Sequence, residues 1–241
     1  MSDLPLTSAD DLAKQDAERS PRRPEGLGKD SLKISELFYS LQGESSTSGF
    51  PTVFVRLTGC PLRCSYCDSE YSFYGGDWRS FADIEQQVAS YGAKYVCVTG
   101  GEPLAQRACL PFLSRLCDAG YSVSLETAGA LDVSKVDPRV VKVMDLKTPA
   151  SNEVARNKYE NIDYLTEQDQ VKFVICDRAD YDWAKQQIAQ FELLGKCEVL
   201  MSSSYEQLKP KDLADWIVED SLQVRFQLQI HKYLWGDVPG V

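Results

Sequence analysis

The sequence predicts an α/β protein, an incomplete and open parallel β/α barrel of about six strands. The first observation is a repeated order of strand and helix between residues 52 and 219, which implies parallel pairing with right-handed crossovers. The second is a nearly all-apolar strand at 94–99, typical of a strand covered on both faces. The third is that polar residues follow successive strands, as in barrel-type sites, while the helices are too few for a full eightfold barrel.

The spacing of apolar residues defines the individual elements. Ile84, Val88 and Tyr91 recur at steps of three and four residues and predict a helix, with Gly120 ending the helix after it. Residues 224–231 alternate and predict a strand. Strands are predicted at 34–41, 52–57, 94–99, 121–126, 140–146, 170–176, 197–201 and 224–231. Helices are predicted at 81–91, 104–119, 181–194 and 210–219.

Length and composition limit the classes of function. The chain has 241 residues, enough for one α/β domain, and a net charge of −10. That charge disfavours a nucleic-acid partner or an anionic membrane surface and favours a small-molecule substrate. No apolar run approaches membrane-spanning length, and no secretion signal is expected. Eight cysteines, three of them close together, predict a reducing, cytoplasmic location.

The chain is predicted to have two regions. Residues 1–30 are polar and charged, and they are interrupted by Pro5, Pro21 and Pro24. We expect this region to be a mobile extension, because it has too few apolar residues to pack a core. Residues 31–241 are expected to form the single folded domain, which contains every candidate site residue.

Three cysteines lie close together directly after the strand at 52–57. Cys60, Cys64 and Cys67 have the spacing C-x3-C-x2-C, which places their thiols on a loop at the carboxyl end of that strand. Iron–sulfur clusters are held by cysteine sulfur. Three local thiolates would bind three irons of a cubane cluster and leave its fourth iron open to a substrate or cofactor.

Two other interpretations apply to the same cysteines. Structural zinc takes four ligands, but the single histidine, His231, lies far downstream, and no second close cysteine pair exists. A disulfide would leave one thiol over and suits an oxidising compartment. The remaining cysteines lie singly in predicted strands or helices and are interpreted as small buried hydrophobes: Cys97, Cys109, Cys117, Cys176 and Cys197.

Polar residues also accompany the first two predicted strands. Gln42-Gly43-Glu44 follows the strand at 34–41, and its glycine lets the backbone approach a ligand closely. Arg56 lies four residues before Cys60, with its neighbours facing the opposite side of the strand. Its planar guanidinium suits bidentate binding of a carboxylate, although a strand-borne arginine is often a surface ion-pair partner.

Later strand ends carry further candidates. Thr99-Gly100-Gly101-Glu102 ends the strand at 94–99, where a glycine pair lets a ligand lie on bare backbone and the glutamate can accept a hydrogen bond from an ammonium. Glu126 ends the next strand, and Asp145 and Lys147 follow the one after, where they could form a simple salt bridge. Ser202 begins a serine run, which is otherwise typical of a loop.

The cysteine spacing resembles the signature of the radical S-adenosylmethionine (SAM) enzymes. Over about residues 31–241 the chain more closely resembles the 7-carboxy-7-deazaguanine synthase family of the queuosine pathway, which serves tRNA modification. The motifs that carry this narrower resemblance are Leu41-Gln42-Gly43-Glu44, Arg56, Cys67-Asp68-Ser69, Thr99-Gly100-Gly101-Glu102-Pro103, Glu126-Thr127 and the tail at 231–239.

The resemblance implies a reaction and its cofactors. A 4Fe-4S cluster would reduce SAM to methionine and an adenosyl radical, and Mg2+ would assist. The radical would take hydrogen from C6 of 6-carboxy-5,6,7,8-tetrahydropterin, and ring contraction with loss of ammonia would give 7-carboxy-7-deazaguanine. The hydrogen then returns and SAM is regenerated. The reaction is that of a carbon–nitrogen lyase. Because the cluster needs an electron, the resemblance implies a flavodoxin- or ferredoxin-type reductant, and it also implies a homodimer.

The resemblance also assigns residues, with Cys60, Cys64 and Cys67 as the cluster ligands. Ser69 stands where the family usually has threonine, and it is expected to bind Mg2+ through its hydroxyl. The residues assigned to SAM are Tyr66, Asp68, Gly101, Glu102, Glu126, Asp145, Lys147 and Ser202. The residues assigned to the pterin are Leu41, Gln42, Gly43, Glu44, Arg56, Thr99, His231 and Pro239.

Two rival functions share the cysteine motif. A glycyl-radical activase is also a radical SAM enzyme, but it acts on a large protein, whereas Gln42, Glu44, Arg56 and the tail favour a small carboxylated substrate. A small electron-transfer or metal-binding module would have a fourth cysteine near the three, and the sequence has none there.

Overall fold

The computed structural model describes residues 22–240, and its strands form one nine-stranded sheet. The strands are β1 Ser31–Leu41, β2 Pro51–Leu57, β3 Asp77–Ser80, β4 Tyr95–Gly100, β5 Ser122–Thr127, β6 Val141–Asp145, β7 Gln170–Ile175, β8 Glu198–Ser203 and β9 Arg225–Gln227. Their order in the sheet is β3-β1-β2-β4-β5-β6-β7-β8-β9.

The sheet is mostly parallel and open. Parallel pairing runs without interruption from β2 through β4, β5, β6, β7 and β8 to β9, and antiparallel β1 and β3 extend the β2 edge. Because β3 and β9 are separate edges, the barrel does not close. The predicted open α/β arrangement is therefore confirmed, and the six predicted parallel strands are joined by short β9 as a seventh.

The helices within residues 22–240 lie largely where the spacing predicts them. They are α1 Phe81–Ser90, α2 Cys109–Asp118, α3 Arg178–Gln190, α4 Pro210–Glu219 and α5 Ile230–Trp235. The helix predicted at 104–119 starts later, because the 3-10 turn Pro103–Ala105 precedes α2. α3 starts earlier than predicted, because the Asp177 side chain caps it by accepting a hydrogen bond from the backbone N of Asp180.

The strand predicted at 224–231 is wrong beyond Gln227. β9 ends there, because the Gln227 side chain bonds the backbone of Ser45, accepting from N at 3.0 Å and donating to O at 2.6 Å. The backbone N of Ile230 then donates to the Gly43 carbonyl at 3.1 Å. These bonds hold the chain against the loop after β1, where it continues as α5 instead of a strand.

The hydrophobic core lies between the sheet and the helices as two clusters. One joins β1, β2, β4 and β5 to α1 and α2, and the other joins β6, β7 and β8 to α3 and α4. Each fully buried aliphatic or phenylalanine side chain, such as Phe112 or Val171, contributes about 1.5–3 kcal/mol. The opposite face of the sheet carries charged and polar side chains, including Arg56, Glu126 and Lys172, and forms a cavity.

Of the N-terminal extension predicted at residues 1–30, the structure describes residues 22–30. Residues 22–30 contain no helix or strand, and residues 1–21 lie outside the described residues. Between residues 22 and 240, no helix has the length and apolar character needed to cross a membrane.

Candidate active site

A cavity of about 470 Å³ opens where the parallel strands end. This volume lies in the range that proteins use for small molecules and cofactors. Except for Glu102 and Ser202, every site residue named from the sequence lines it. Those residues are Leu41, Gln42, Gly43, Glu44, Arg56, Cys60, Cys64, Tyr66, Cys67, Asp68, Ser69, Thr99, Gly101, Glu126, Asp145, Lys147, His231 and Pro239.

The three cysteine thiols reach this cavity from the loop after β2. Cys60 is buried and Cys64 and Cys67 are half-buried, and all three are free thiols. Burial raises the pKa of Cys60 to about 12 and that of Cys64 to about 11, against the opposing charge of Lys147. A thiol held this way needs the positive charge of a metal or cluster to bind as thiolate.

The donor set fits a cluster better than a single metal ion. Within residues 22–240, no three histidine, cysteine or acidic side chains converge closely enough to bind one ion, as zinc would require. A cubane cluster binds each cysteine at a separate iron, so its ligands surround the cluster and do not meet at one point. The three thiols of one loop therefore fit an iron–sulfur cluster.

The cysteine loop is fixed by hydrogen bonds to its own backbone and to a neighbouring loop. Arg63 Nη1 donates to the Cys60 carbonyl at 2.8 Å and to the Leu62 carbonyl at 2.6 Å, and its guanidinium lies 4.1 Å from the centre of the Phe73 ring. The backbone N of Ser65 donates to the Ser151 carbonyl at 3.1 Å. The loop is thus held in one conformation by its own chain.

Glycine is required where β4 ends beside the cysteine loop. A Cβ atom on Gly101 would lie 2.4 Å from the Gly59 carbonyl oxygen and 2.7 Å from Cys60 Cβ. Gly100 has a φ of +155°, and a Cβ there would lie 2.3 Å from the Leu57 carbonyl oxygen. Only bare backbone fits between β4 and the cysteine loop, and both glycines line the cavity.

Glu102 and Ser202 do not line the cavity, and their assignment as SAM contacts stays a prediction. Glu102 is fully buried and accepts hydrogen bonds from Leu104 N, Ala128 N and the Thr127 hydroxyl. It therefore ties the loop after β4 to the loop after β5. Ser202 is buried inside β8, and Ser204, two residues later and past the strand end, lines the cavity in its place.

Arg56 is oriented by an acid and two aromatic rings. Its Nε donates to Glu36 Oε1 at 2.5 Å, and the Tyr71 hydroxyl donates to the same oxygen at 2.8 Å. The rings of Phe38 and Tyr71 flank the guanidinium at 5.8 Å and 5.7 Å. Val55 faces the core as predicted. Within residues 22–240 the terminal nitrogens of Arg56 make no hydrogen bond, so they remain as donors for a carboxylate.

Acidic and basic side chains meet in the middle of the cavity. Lys172 of β7 pairs with Glu44 at 2.5 Å and approaches Asp145 at 3.6 Å, and Asp145 also pairs with Lys147 at 2.9 Å. Burial raises the pKa of Glu44, but the charge and hydrogen bond of Lys172 outweigh it, and the pKa falls to about 2. Burial raises the pKa of the neighbouring Glu126.

The C-terminal tail covers one side of the cavity. His231 packs so closely on Gly43 that a Cβ there would lie 1.9 Å from Nδ1. Burial lowers the pKa of His231, which favours the neutral imidazole near neutral pH. Lys232 pairs with Asp68 of the cysteine loop at 2.9 Å, and Pro239 lines the cavity.

Sequence reasoning missed several cavity residues. Lys172 is the clearest, because a lysine between the apolar residues Val171 and Phe173 of β7 is a signal that it serves a buried partner. The others come from side chains beside Arg56 and from the segments after β8 and β9. Among them are Phe38, Phe54, Tyr71, Ser204, Tyr205, Glu206, Gln207, Gln229, Lys232 and Asp237.

Known proteins resemble this chain in sequence and fold. A family model described as the radical SAM superfamily matches residues 54–145. A 7-carboxy-7-deazaguanine synthase from Chlorobaculum tepidum is 45% identical over 214 residues, covering 87% of this chain and 97% of the relative. One from Koribacter versatilis is 45% identical over 222 residues, covering 85% and 97%. The crystal structure of QueE from Escherichia coli, 20% identical, aligns with a TM-score of 0.68 over 81% of this chain and 92% of that chain, which supports the fold.

Proposed function

The chain belongs to the 7-carboxy-7-deazaguanine synthase family of radical SAM proteins, and on this basis we propose that it converts 6-carboxy-5,6,7,8-tetrahydropterin to 7-carboxy-7-deazaguanine and ammonia. The observation that carries the proposal is that the cysteine loop, Glu44 and Arg56 line one cavity. Cofactor ligands and carboxylate-binding residues thus lie within reach of one bound molecule. The product belongs to 7-deazapurine synthesis for queuosine.

Cys60, Cys64 and Cys67 would hold the 4Fe-4S cluster, and SAM would lie along Gly101 and Lys147. When bound, the cluster and SAM supply the one-electron chemistry that removes hydrogen from C6 of the pterin. The chain itself binds, orients and encloses the two ligands.

The substrate carboxylate would be held by Arg56. Glu36 and Tyr71 fix the guanidinium by its Nε side, which leaves the terminal nitrogens to form a bidentate pair. The flanking rings restrict the side chain further, so little rotamer entropy is lost when substrate binds.

The far edge of the pterin would be bound by carboxylates. Ionised Glu44 accepts hydrogen bonds from ring N–H and amino groups, and Gln42 and Glu126 line the same region. Neutral His231 and the tail behind it would exclude water from this part of the cavity once the substrate is bound.

Further features of the family extend the proposal. Mg2+ would bind at Ser69, whose hydroxyl lies 3.9 Å from the Cys67 sulfur and lines the cavity, because hard cations accept hydroxyl and water oxygen. A flavodoxin- or ferredoxin-type protein would supply the electron. The protein would act as a cytoplasmic homodimer, and its eight free cysteines suit that compartment.

Anaerobic turnover tests the proposal directly. After cluster reconstitution, incubation with SAM, dithionite, Mg2+ and 6-carboxytetrahydropterin should give 7-carboxy-7-deazaguanine, detected by mass spectrometry. Cys64→Ala should abolish product and lower the iron and sulfide content, whereas Cys117→Ala, a matched change on α2, should do neither. Release of 5′-deoxyadenosine without this product would refute the substrate, and absence of both from a fully loaded protein would refute the enzymatic activity.

A further inference from the structure

Lys172 is a buried cation placed among carboxylates at the centre of the cavity. It is only 7% exposed, and it lies on β7 between Val171 and Phe173, which pack in the core behind the sheet. Its Nζ lies 2.5 Å from Glu44 Oε2 and 3.6 Å from Asp145 Oδ1. A buried lysine is costly to retain unless it serves partners of opposite charge.

The position of the Glu44 carboxylate is set from two sides. Lys172 holds Oε2, and Gln229 Nε2 donates to Oε1 at 2.7 Å. The other charged or titratable groups of the described chain that act on this region are Glu126, Asp145, Asp68, His231, Arg56, Lys147 and Lys232. Among these, the acids oppose ionisation of Glu44, and Lys172 is the largest influence that keeps it charged, followed by the hydrogen bond from Gln229.

A second buried lysine shows what a structural pair looks like in the same protein. Lys142 of β6 pairs with Asp169 at 3.0 Å, and the same carboxylate accepts hydrogen bonds from the backbone N of Lys142 and of Thr166. Neither Lys142 nor Asp169 lines the cavity. Lys172 differs because its partners, Glu44 and Asp145, are cavity residues with few backbone bonds of their own.

We propose that Lys172 is a positioning residue for substrate recognition, which holds Glu44 as an ionised and oriented acceptor for the N–H donors of the pterin. The inference rests on the proposed function, because it takes Glu44 as a pterin contact. An ionised carboxylate accepts from two adjacent N–H groups, whereas a protonated one presents a donor to them. Loss of the Lys172 cation would let Glu44 take up a proton, and the O–H donor of Glu44 would then face the N–H donors of the pterin.

Equilibrium binding of 6-carboxypterin, an oxidised and fluorescent stand-in for the substrate, measures this role without turnover. The reconstituted protein is titrated in the presence of SAM, between about pH 6 and about pH 8.5, where free histidine but not free aspartate or glutamate titrates. The variants are Lys172→Met, Lys172→Arg, Glu44→Gln and the double variant Glu44→Gln/Lys172→Met. Lys142→Met is the matched control, since it also removes a buried cation from a carboxylate.

We expect Lys172→Met to weaken binding about 10- to 100-fold near neutral pH, the loss typical of an unpaired charged hydrogen-bonding group. Without Lys172, burial raises the pKa of Glu44, so affinity should fall further as the pH falls and Glu44 takes up a proton. The wild-type protein and Lys142→Met should show no such fall, because Glu44 stays ionised in both. Lys172→Arg should recover most of the affinity.

The double variant provides a second test if Lys172→Met does not fold. It leaves neither carboxylate unpaired, because Glu44 is replaced by a neutral side chain and Asp145 still pairs with Lys147. It should bind within about threefold of Glu44→Gln, since a residue that acts through Glu44 has no further effect once Glu44 is neutral. A much weaker double variant, or unchanged binding by Lys172→Met, would overturn the inference. If the wild-type protein binds 6-carboxypterin and makes product, such a result refutes the role of Lys172 alone. If the wild-type protein makes no product, the result refutes the proposed function itself.

Discussion

Two segments enclose the same cavity, and the structure holds them differently. The cysteine loop, residues 59–69, is bonded through its backbone to Arg63 and to the loop at Ser151. The tail, residues 228–240, is attached to the rest of the described chain by one backbone bond, from Ile230, and otherwise by side chains such as Gln229 on Glu44 and Lys232 on Asp68. Tyr233 on this tail is 83% exposed.

The difference matches what each segment encloses. A cluster remains bound through many turnovers, so its ligands need a loop that does not open. A substrate must enter and leave, and covers that open are built from segments with few buried contacts. We therefore expect the cysteine loop to act as a fixed wall of the site and the tail to act as a cover that opens for the substrate.

Gly101→Ala should have the largest effect on the fixed wall. The added methyl would meet the Gly59 carbonyl and Cys60 Cβ, and such overpacking costs about 1–3 kcal/mol. We expect iron and sulfide content after reconstitution to fall together with SAM-dependent product formation. Gly195→Ala, where nothing lies within 4 Å, should load a full cluster. If Gly101→Ala binds a full cluster, the cysteine loop can shift to accommodate the methyl group, which would contradict a fixed wall.

Gly43→Ala should affect the cover and leave the wall intact. Its methyl would displace the His231 ring, so the tail could not close over the pterin. We expect the KM for 6-carboxytetrahydropterin to rise about tenfold, corresponding to about 1.4 kcal/mol. The iron content should equal that of the wild-type protein. Loss of the cluster in this variant would contradict the separation of wall and cover.

Lys232→Met should have a smaller effect on the same cover. Lys232 is itself buried, but its partners Asp68 and Asp237 are 43% and 60% exposed in their side chains, so both carboxylates stay in contact with water without it and the loss should be only about 1 kcal/mol. We expect the KM to rise about two- to fivefold and the tail to be cut faster by protease. Lys211→Met removes the exposed pair with Asp215 on α4 and should change neither quantity.

Much of the fold and the fixed wall could be predicted from the sequence because their signals are local. Cys60, Cys64 and Cys67 lie within eight residues, and the apolar strand at 94–99 is one continuous run. Residues at strand ends share one edge of a parallel sheet, so the sequence alone predicts that Gly101 and Glu126 lie at the same site.

The features that could not be predicted from the sequence depend on contacts between distant parts of the chain. Lys172 meets Glu44 across 128 positions, and Gln227 ends β9 by bonding Ser45 across 182 positions. Glu102 was expected in the cavity, but its carboxylate is taken by backbone and hydroxyl donors of the next loop. No spacing rule reveals which partner a buried polar group finds once the sheet has formed.

Hydrogen transfer between the two ligands tests most directly whether one cavity holds both. The protein is given 6-carboxytetrahydropterin deuterated at C6, and the SAM recovered after turnover is analysed by mass spectrometry. We predict deuterium in the recovered SAM: if C6 lies against the adenosyl carbon, the transferred deuterium joins two hydrogens on one methyl group, and any of the three can return, so most turnovers would leave deuterium in SAM. Product formed with no deuterium in SAM or in 5′-deoxyadenosine would contradict a shared cavity.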